Sequence, residues 1–267
     1  MINELKVSKY NSLEEFISFT DACPKYGIDY GSWCGAENYS EAVTIAREGT
    51  DLQRAEQTLK QLEHTRPIMQ QVMDVTGSVV NMDAYLSGLP ENMMEFPIVE
   101  EPTKFLNLFV DVSESGFVSS ERLVNKAIAV ASIVDDLENN GYRVAVTVGM
   151  VSSQRKSFNG VLMDDYTSTL VAMVKIKEYH KVLSVGQLIG CCHPSFLRVL
   201  MFCYINGTYR NFGGPAKGYG RPTRDQLDLE KALAEVADKD MVYIPSNEDL
   251  SSVESAVEMI SKYIHKP

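Results

Sequence analysis

The chain has 267 residues, a formal net charge of −11 and a sequence pI of about 4.9, and 45% of its residues are hydrophobic. This composition is that of an ordinary soluble globular protein, and the length suits either one large α/β domain or a core domain with a smaller appendage. The acidity argues against non-specific binding to duplex nucleic acid, and no segment approaches the roughly 18 to 20 apolar residues that a membrane-spanning helix needs.

The N-terminus and the cysteines both indicate a cytoplasmic protein with no membrane partner. Residues 1–6 lack the apolar core of a signal peptide. The five cysteines form no Cys-x-x-Cys motif, which argues against a zinc site or a disulfide framework. Cys191, Cys192 and Cys203 lie in an apolar stretch and are predicted to be buried thiols.

Residues 1–100 are predicted to be a mainly helical N-terminal segment that packs on the core. Ser12 has the pattern of a helix N-cap, with glutamates in the turn that follows it. A second helical stretch begins at Tyr39 and ends at Gly49, a residue type that commonly terminates helices.

Residues 101–267 are predicted to form an α/β domain with a doubly wound, mostly parallel sheet, because strands and helices alternate along them. A strand, a helix and a second strand at its start predict a right-handed parallel crossover. In chain order we expect a strand over 105–112, a helix over 121–140, strands over 142–151 and 167–177, a buried helix over 187–206 interrupted near Pro194, a strand over 241–245 and a terminal helix over 248–266.

A loop rich in acid and hydroxyl groups follows the first of these strands. The apolar run stops at Asp111, Ser113 and Ser115, and open α/β sheets bind ligands at the edge where such strands end. Three hard oxygens at alternate positions suit Mg²⁺, so these residues are candidate metal ligands. The alternative is that they cap the next helix and accept hydrogen bonds from loop amides.

A basic, aromatic and glycine-rich loop over 207–224 is the second candidate site. Its composition is typical of single-stranded nucleic-acid binding, in which cations contact phosphates and rings stack on unpaired bases. The alternative is a flexible solvent loop whose charges serve only solubility. The candidate nucleic-acid-binding residues are Tyr209, Arg210, Phe212, Lys217, Tyr219, Arg221 and Arg224.

Two other residues each allow two interpretations. His193 follows two cysteines, but neighbours in sequence rarely point at one another, so a structural histidine at a helix break is favoured over a catalytic pair. Trp33, the only tryptophan, is either an exposed anchor for a partner or a core residue that closes the N-terminal segment onto the sheet.

The spacing Asp111-x-Ser113-x-Ser115 and the order of elements from residue 105 onward resemble von Willebrand factor A domains and their metal-ion-dependent adhesion site. That family adds a threonine from a second loop and an aspartate from a third, and neither has a clear counterpart here. The resemblance therefore implies a sheet of the von Willebrand A type with a degenerate metal site.

Several segments together also resemble a family of uncharacterised bacteriophage proteins. The resemblance covers most of the chain and implies a phage origin, and with it the host cell cytoplasm and a role in viral replication or transcription. A host-takeover or anti-defence role is the alternative. The segments are 32–35 with 41–49, 74–77 with 85–93, 111–115, the end of the helix at 141–144, and 193–198.

These observations predict a non-enzymatic phage protein that binds nucleic acid, above all single-stranded DNA, and recruits a viral polymerase or replication protein. An enzyme is disfavoured because the sequence offers no complete set of acid, base and nucleophile. The alternative function is a Mg²⁺-dependent protein adaptor, in which an ion held by Asp111, Ser113 and Ser115 takes its last ligand from a partner's carboxylate.

Overall fold

The apolar strands assemble into a five-stranded, mostly parallel sheet within a mixed α/β fold. This computed structural model describes residues 4–50, 52–54, 56–57, 72–74, 79–95, 104–114, 119–158, 161–208, 226–236, 241–246 and 252–264. The described strands are β1 (Glu4–Tyr10), β2 (Val72–Asp74), β3 (Val79–Val80), β4 (Met93–Glu95), β5 (Lys104–Asp111), β6 (Tyr142–Phe158), β7 (Val161–Lys177) and β8 (Met241–Ile244).

The main sheet has the strand order β1-β7-β6-β5-β8. β5 lies between β6 and β8 and pairs in parallel with both, whereas β7 runs antiparallel to β6. β1 pairs in parallel with β7 at the far edge. The carboxyl ends of β5, β6 and β8 therefore point the same way, and the described part of a second, small sheet has the order β2-β4-β3.

Helices cover both faces of the main sheet. The described helices are α1 (Leu13–Asp21), α2 (Tyr39–Glu48), α3 (Met82–Leu86), α4 (Ser120–Asn139), α5 (Val185–Cys192), α6 (Phe202–Thr208), α7 (Gln226–Val236) and α8 (Val253–Ile264), with a π-helix, Phe196–Met201, leading into α6. Ser12 caps α1 by accepting a hydrogen bond from the Glu15 N–H at 3.1 Å, as its sequence pattern predicts.

Alternate residues of each strand enter two separate cores. Leu108 and Val110 of β5 belong to a large core shared with α1, α2, α4, α5, α6 and α8. Phe109 between them belongs to a smaller core on the opposite face, where Ala232 and Val236 of α7 pack. Successive side chains of a strand point to opposite faces of the sheet, and here helices from different regions of the chain cover the two faces.

Most elements predicted over 101–267 are confirmed. Strands β5, β6, β7 and β8 correspond to those predicted at 105–112, 142–151, 167–177 and 241–245. β5 and β6 pair in parallel and are connected by α4. The predicted helix does break near Pro194: α5 and the continuous segment formed by the π-helix and α6 meet at a bend of 57°. All five cysteines are buried thiols without disulfides.

One strand of the main sheet was absent from the prediction. The expectation of a mainly helical segment over 1–100 contains no strand, but β1 adds to the sheet edge beside β7. Its Leu5 and Val7 alternate with Lys6 and Ser8, which is the period of a strand. This short pattern lies directly before a clear helix start, which is the stronger of the two local signals.

No single helix among the described residues has both the length and the apolar composition of a membrane span. Only the bent combination of Val185–Cys192 with Phe196–Thr208 passes that test, and its apolar side chains are buried in the large core.

α2 and α5 approach each other through glycines. A Cβ on Gly190 would overlap the carbonyl oxygen of Ile45, and a Cβ on Gly186 would overlap that of Glu48. The backbone turns away after α2 at Gly49, whose φ of +81° favours glycine. The spacing of Gly186 and Gly190, one helical turn apart, therefore allows the two backbones to touch.

We expect Gly190→Ala to lower the free energy of unfolding by about 1–3 kcal/mol, because the added methyl group must push α5 away from α2. Urea unfolding followed by the fluorescence of Trp33 measures the loss. Gln187→Ala, on the same helix, is the control and should change stability by less than about 0.5 kcal/mol. Equal stability of the two variants would contradict the close helix contact.

Candidate functional site

The structure places Asp111 and Ser113 at the carboxyl end of β5, which lies between β6 and the edge strand β8. Asp111 is the last residue of the strand, and both side chains are buried. Ser115, the third predicted ligand, lies outside the described residues. The expected position at the edge of the sheet is therefore confirmed for the two residues that the structure describes.

The carboxylate of Asp111 is surrounded by hydrogen-bond donors. Its Oδ1 accepts from the backbone N–H of Ser113 at 2.8 Å, from the Ser113 hydroxyl at 2.5 Å and from the Val151 N–H at 3.4 Å. Its Oδ2 accepts from the Tyr243 hydroxyl at 2.5 Å. Three strands, β5, β6 and β8, thus meet at this one side chain.

Lys126 supplies a buried positive charge that acts on this carboxylate. Its side chain comes from α4 and is fully buried. The ammonium donates to the backbone oxygen of Asp111 at 2.6 Å and to that of Pro245 at 2.7 Å. A buried ammonium needs acceptors and an opposite charge, and the ends of β5 and β8 provide both.

The arrangement of Asp111 and Ser113 fits the part of the alternative in which they accept hydrogen bonds from amides, whereas the N-cap position of α4 is taken by Ser119. The aspartate side chain accepts from the amide two residues ahead, as in an Asx turn, and the Ser113 hydroxyl accepts from the Val151 N–H at 3.1 Å. An ion would have to compete with these donors for the same oxygens. Within the described part of the chain, no cluster of three or more histidine, cysteine, aspartate or glutamate residues suits a metal. Mg²⁺ binding by Asp111, Ser113 and Ser115 stays a prediction.

A second charged pair lies next to this edge. The buried Arg198 guanidinium, on the π-helix, donates to the backbone oxygen of Trp33 and stacks 4.7 Å from the centre of its ring. The buried Glu114, directly after Ser113, interacts electrostatically with Arg198. Trp33 is 40% exposed and its ring also contacts Phe202, so it is packed on one side and open to solvent on the other; its role as an anchor for a partner stays a prediction.

Sequence reasoning missed Lys126 and Arg198. Lys126 lies within the apolar face formed by Leu123, Ala127 and their neighbours, and Arg198 lies within an equally apolar helix. A single cation inside an apolar helical face is a usable signal, because such a residue is buried only with partners. The identity of those partners depends on the tertiary structure.

His193 and the buried thiols have structural surroundings. His193 Nδ1 lies 2.8 Å from the Ser195 hydroxyl, and its ring packs against the backbone of Gly35, where a Cβ would come within 2.6 Å of Cε1. Burial raises the pKa of Cys34 to about 11 and the pKa of Cys192 and Cys203 to about 12. Thiols with such pKa values are protonated at neutral pH and are poor nucleophiles.

The predicted nucleic-acid-binding residues lie in the connection between α6 and α7. Tyr209, Arg210, Phe212, Lys217, Tyr219, Arg221 and Arg224 all fall outside the described residues. The two helices that this segment joins pack on opposite faces of the main sheet. The assignment of these seven residues to nucleic-acid binding stays a prediction.

Replacement of Lys126 by methionine should lower the free energy of unfolding by about 3–5 kcal/mol, because the Asp111 carboxylate would lose its buried counter-charge and two carbonyls their donor. Denaturant titration measures this loss. The exposed Lys231→Met is the matched control and should stay within about 0.5 kcal/mol of the parent protein. A loss of similar size in both variants would show that Lys126 has no special role.

Asp111→Asn should reveal an unusual pH dependence. Burial raises the pKa of Asp111 above its ordinary value of about 3.9, and its hydrogen-bond donors only partly oppose this shift. Between the two values the folded chain holds a proton that the unfolded chain has lost, so rising pH lowers the free energy of unfolding through that window.

The asparagine variant lacks this titration. The difference in unfolding free energy, parent minus variant, should therefore fall as pH rises from about 4 and then level off. Urea titrations of both proteins at a series of pH values measure it. A difference that grows with pH over the same range would mean that the donors outweigh burial.

Comparison with known proteins gives one assignment. No curated protein and no solved structure matches the chain. Among protein-family models, the match covers residues 3–265, nearly the whole sequence and every element described above. The chain belongs to the family of the domain of unknown function DUF7192.

Proposed function

We propose that this protein is a non-enzymatic phage protein that binds nucleic acid, above all single-stranded DNA, and recruits a viral transcription or replication partner in the host cytoplasm. The proposal rests on one observation. Residues 208–224 contain four cations, three aromatic rings and no acid, in a chain whose net charge is −11. A local basic cluster kept against such an average points to an anionic ligand.

The aromatic and glycine content favours a single strand over a duplex. Rings stack on bases only where the bases are unpaired, and each stacked base contributes about 1–3 kcal/mol. The four glycines of this segment allow the backbone to adjust to splayed nucleotides. Duplex binding by shape and phosphate contacts would not need three rings.

Three features of the described structure support a role in binding rather than in catalysis. The thiols at 34, 191, 192 and 203 are buried and have raised pKa values, so none of them is ready to act as a nucleophile at neutral pH. His193 and Ser195 are buried and hydrogen-bonded to each other. The oxygens of Asp111 at the sheet edge are taken up by neighbouring donors.

We also propose that the core is of the von Willebrand A type. Support comes from the strand, helix and strand order of β5, α4 and β6, and from the position of Asp111 and Ser113 at the carboxyl end of β5. The proposed phage origin rests on the resemblance of the sequence segments given above.

The alternative remains a Mg²⁺-dependent protein adaptor that uses Asp111, Ser113 and Ser115. The observation in its favour is the position of the first two residues at the edge where α/β sheets bind ligands. The chemistry that Mg²⁺ would supply is an open coordination position for a partner's carboxylate. The donors around Asp111 count against this function, because direct coordination would displace them.

Arg210→Ala together with Arg221→Ala should weaken binding to an unstructured single-stranded oligonucleotide by at least about tenfold. If both arginines contact phosphates, the slope of log affinity against log salt should also become shallower by about 1.4. Fluorescence anisotropy at several salt concentrations measures both quantities.

The matched control is Lys181→Ala with Lys231→Ala, which removes the same charge from exposed positions elsewhere. Equal affinity of the arginine variant and the parent would show that the loop is not the binding site. The titration is repeated with Mg²⁺ and with excess chelator to distinguish the two functions. Oligonucleotide binding by the loop should not change in chelator, whereas the adaptor function requires the ion.

A further inference from the structure

Helix α3 displays its large apolar side chains to solvent. Met82, Tyr85 and Leu86 of α3, together with Leu89 three residues after its end, are between 51% and 76% exposed, whereas the small Ala84 is buried. Val80 of β3 extends the same segment and is 40% exposed. A surface helix normally buries its large apolar side chains, and the reverse arrangement marks an interaction surface.

This apolar stripe, formed by Val80, Met82, Tyr85, Leu86 and Leu89, is held in a defined shape. Asn81 caps α3 by accepting from the N–H groups of Asp83 and Ala84, both at 3.1 Å. The Leu89 N–H donates to the Ala84 carbonyl at 3.0 Å, and the Asn92 side chain donates to the Leu89 carbonyl at 2.8 Å. A partner would therefore not have to order it on binding, which favours affinity.

The charges around the stripe indicate what it binds. Asp83 and Glu91 are exposed beside it. In the sequence, the stretch 67–103 that includes the stripe contains no lysine or arginine and six acidic residues, namely Asp74, Asp83, Glu91, Glu95, Glu100 and Glu101. A second copy of the chain would bring the same negative charges to the contact, and an anionic membrane surface or a nucleic acid would also be repelled.

We propose that the apolar stripe is the docking surface for a basic, amphipathic segment of a partner protein. Apolar side chains of the partner cover Tyr85 and Leu86, and its lysines or arginines lie against Asp83 and Glu91. The inference deepens the partner-recruiting half of the proposed function and rests on that half. It is independent of the basic loop over 207–224.

The probe is a synthetic helical peptide with leucines at positions i, i+3, i+4 and i+7 and lysines elsewhere. A peptide of the same composition in scrambled order and a peptide with glutamates in place of lysines are its controls. Fluorescence anisotropy with the full chain measures affinity. We expect the ordered basic peptide to bind at least about tenfold more tightly than either control.

Variants locate the contact. Tyr85→Ser with Leu86→Ser should weaken binding of the ordered peptide by at least about tenfold. The control is Val182→Ser, which changes an apolar side chain that is 93% exposed elsewhere and should not alter peptide affinity. Asp83→Lys with Glu91→Lys should shift the preference toward the acidic peptide. Circular dichroism and the unfolding midpoint show that these exposed substitutions leave the fold intact.

The proposal is overturned if the serine variant binds the ordered peptide as the parent does, or if the scrambled peptide binds equally well. Sedimentation velocity tests whether the stripe binds a second copy of this chain instead of a partner protein. A dimer of the parent chain that the Leu86→Ser substitution dissociates would show that the stripe binds a second copy. Oligonucleotide binding by the serine variant should match that of the parent. If the parent chain binds the oligonucleotide but not the ordered peptide, this inference fails and the proposed nucleic-acid function stands. If the arginine loop variant binds the oligonucleotide as tightly as the parent while the peptide still binds, the proposed nucleic-acid site fails and this inference stands.

Discussion

The ammonium of Lys126 ties together the elements on which the carboxyl edge of the sheet depends. It reaches from α4 to the backbone oxygens at the ends of β5 and β8, and its charge acts on the Asp111 carboxylate. Because a fully buried ammonium is tolerated only with acceptors and a counter-charge, the helix and both strands must keep one relative position. Tyr243 and Val151 add β8 and β6 to the same network through the Asp111 side chain.

This network explains why the most recognisable sequence motif of the chain is mainly architectural in the described structure. The oxygens of Asp111 and Ser113 satisfy amides and a hydroxyl of their own fold, and the nearby pair of Arg198 and Glu114 connects the same edge to Trp33. The surfaces that we propose for function lie in other segments, one basic and one apolar with acidic neighbours. Opposite charges in two separate segments would let nucleic acid and a protein partner bind without competing.

Much of the fold was predictable because its signals are local. The apolar run of β5, the apolar face of α4 and the break before Pro194 each depend on residues close in sequence, and each was placed correctly. β1 was missed because an edge strand of alternating character is a weak signal beside a strong helix cap. Of the candidate site, the position of Asp111 was predictable, but its partners were not, since Tyr243 and Val151 are 132 and 40 residues away along the chain.

The sequence by itself determined the class of the fold, the burial of the thiols and the presence of one basic aromatic segment, because composition and periodicity act over short stretches. Only the tertiary structure decided how the charged residues are paired. It brought Lys126 to the backbone oxygen of Asp111, placed Arg198 over the ring of Trp33, and left the large side chains of α3 exposed while Ala84 is buried. Buried charges and exposed apolar groups acquire their meaning from neighbours that are distant in sequence, and those neighbours are chosen only when the chain folds.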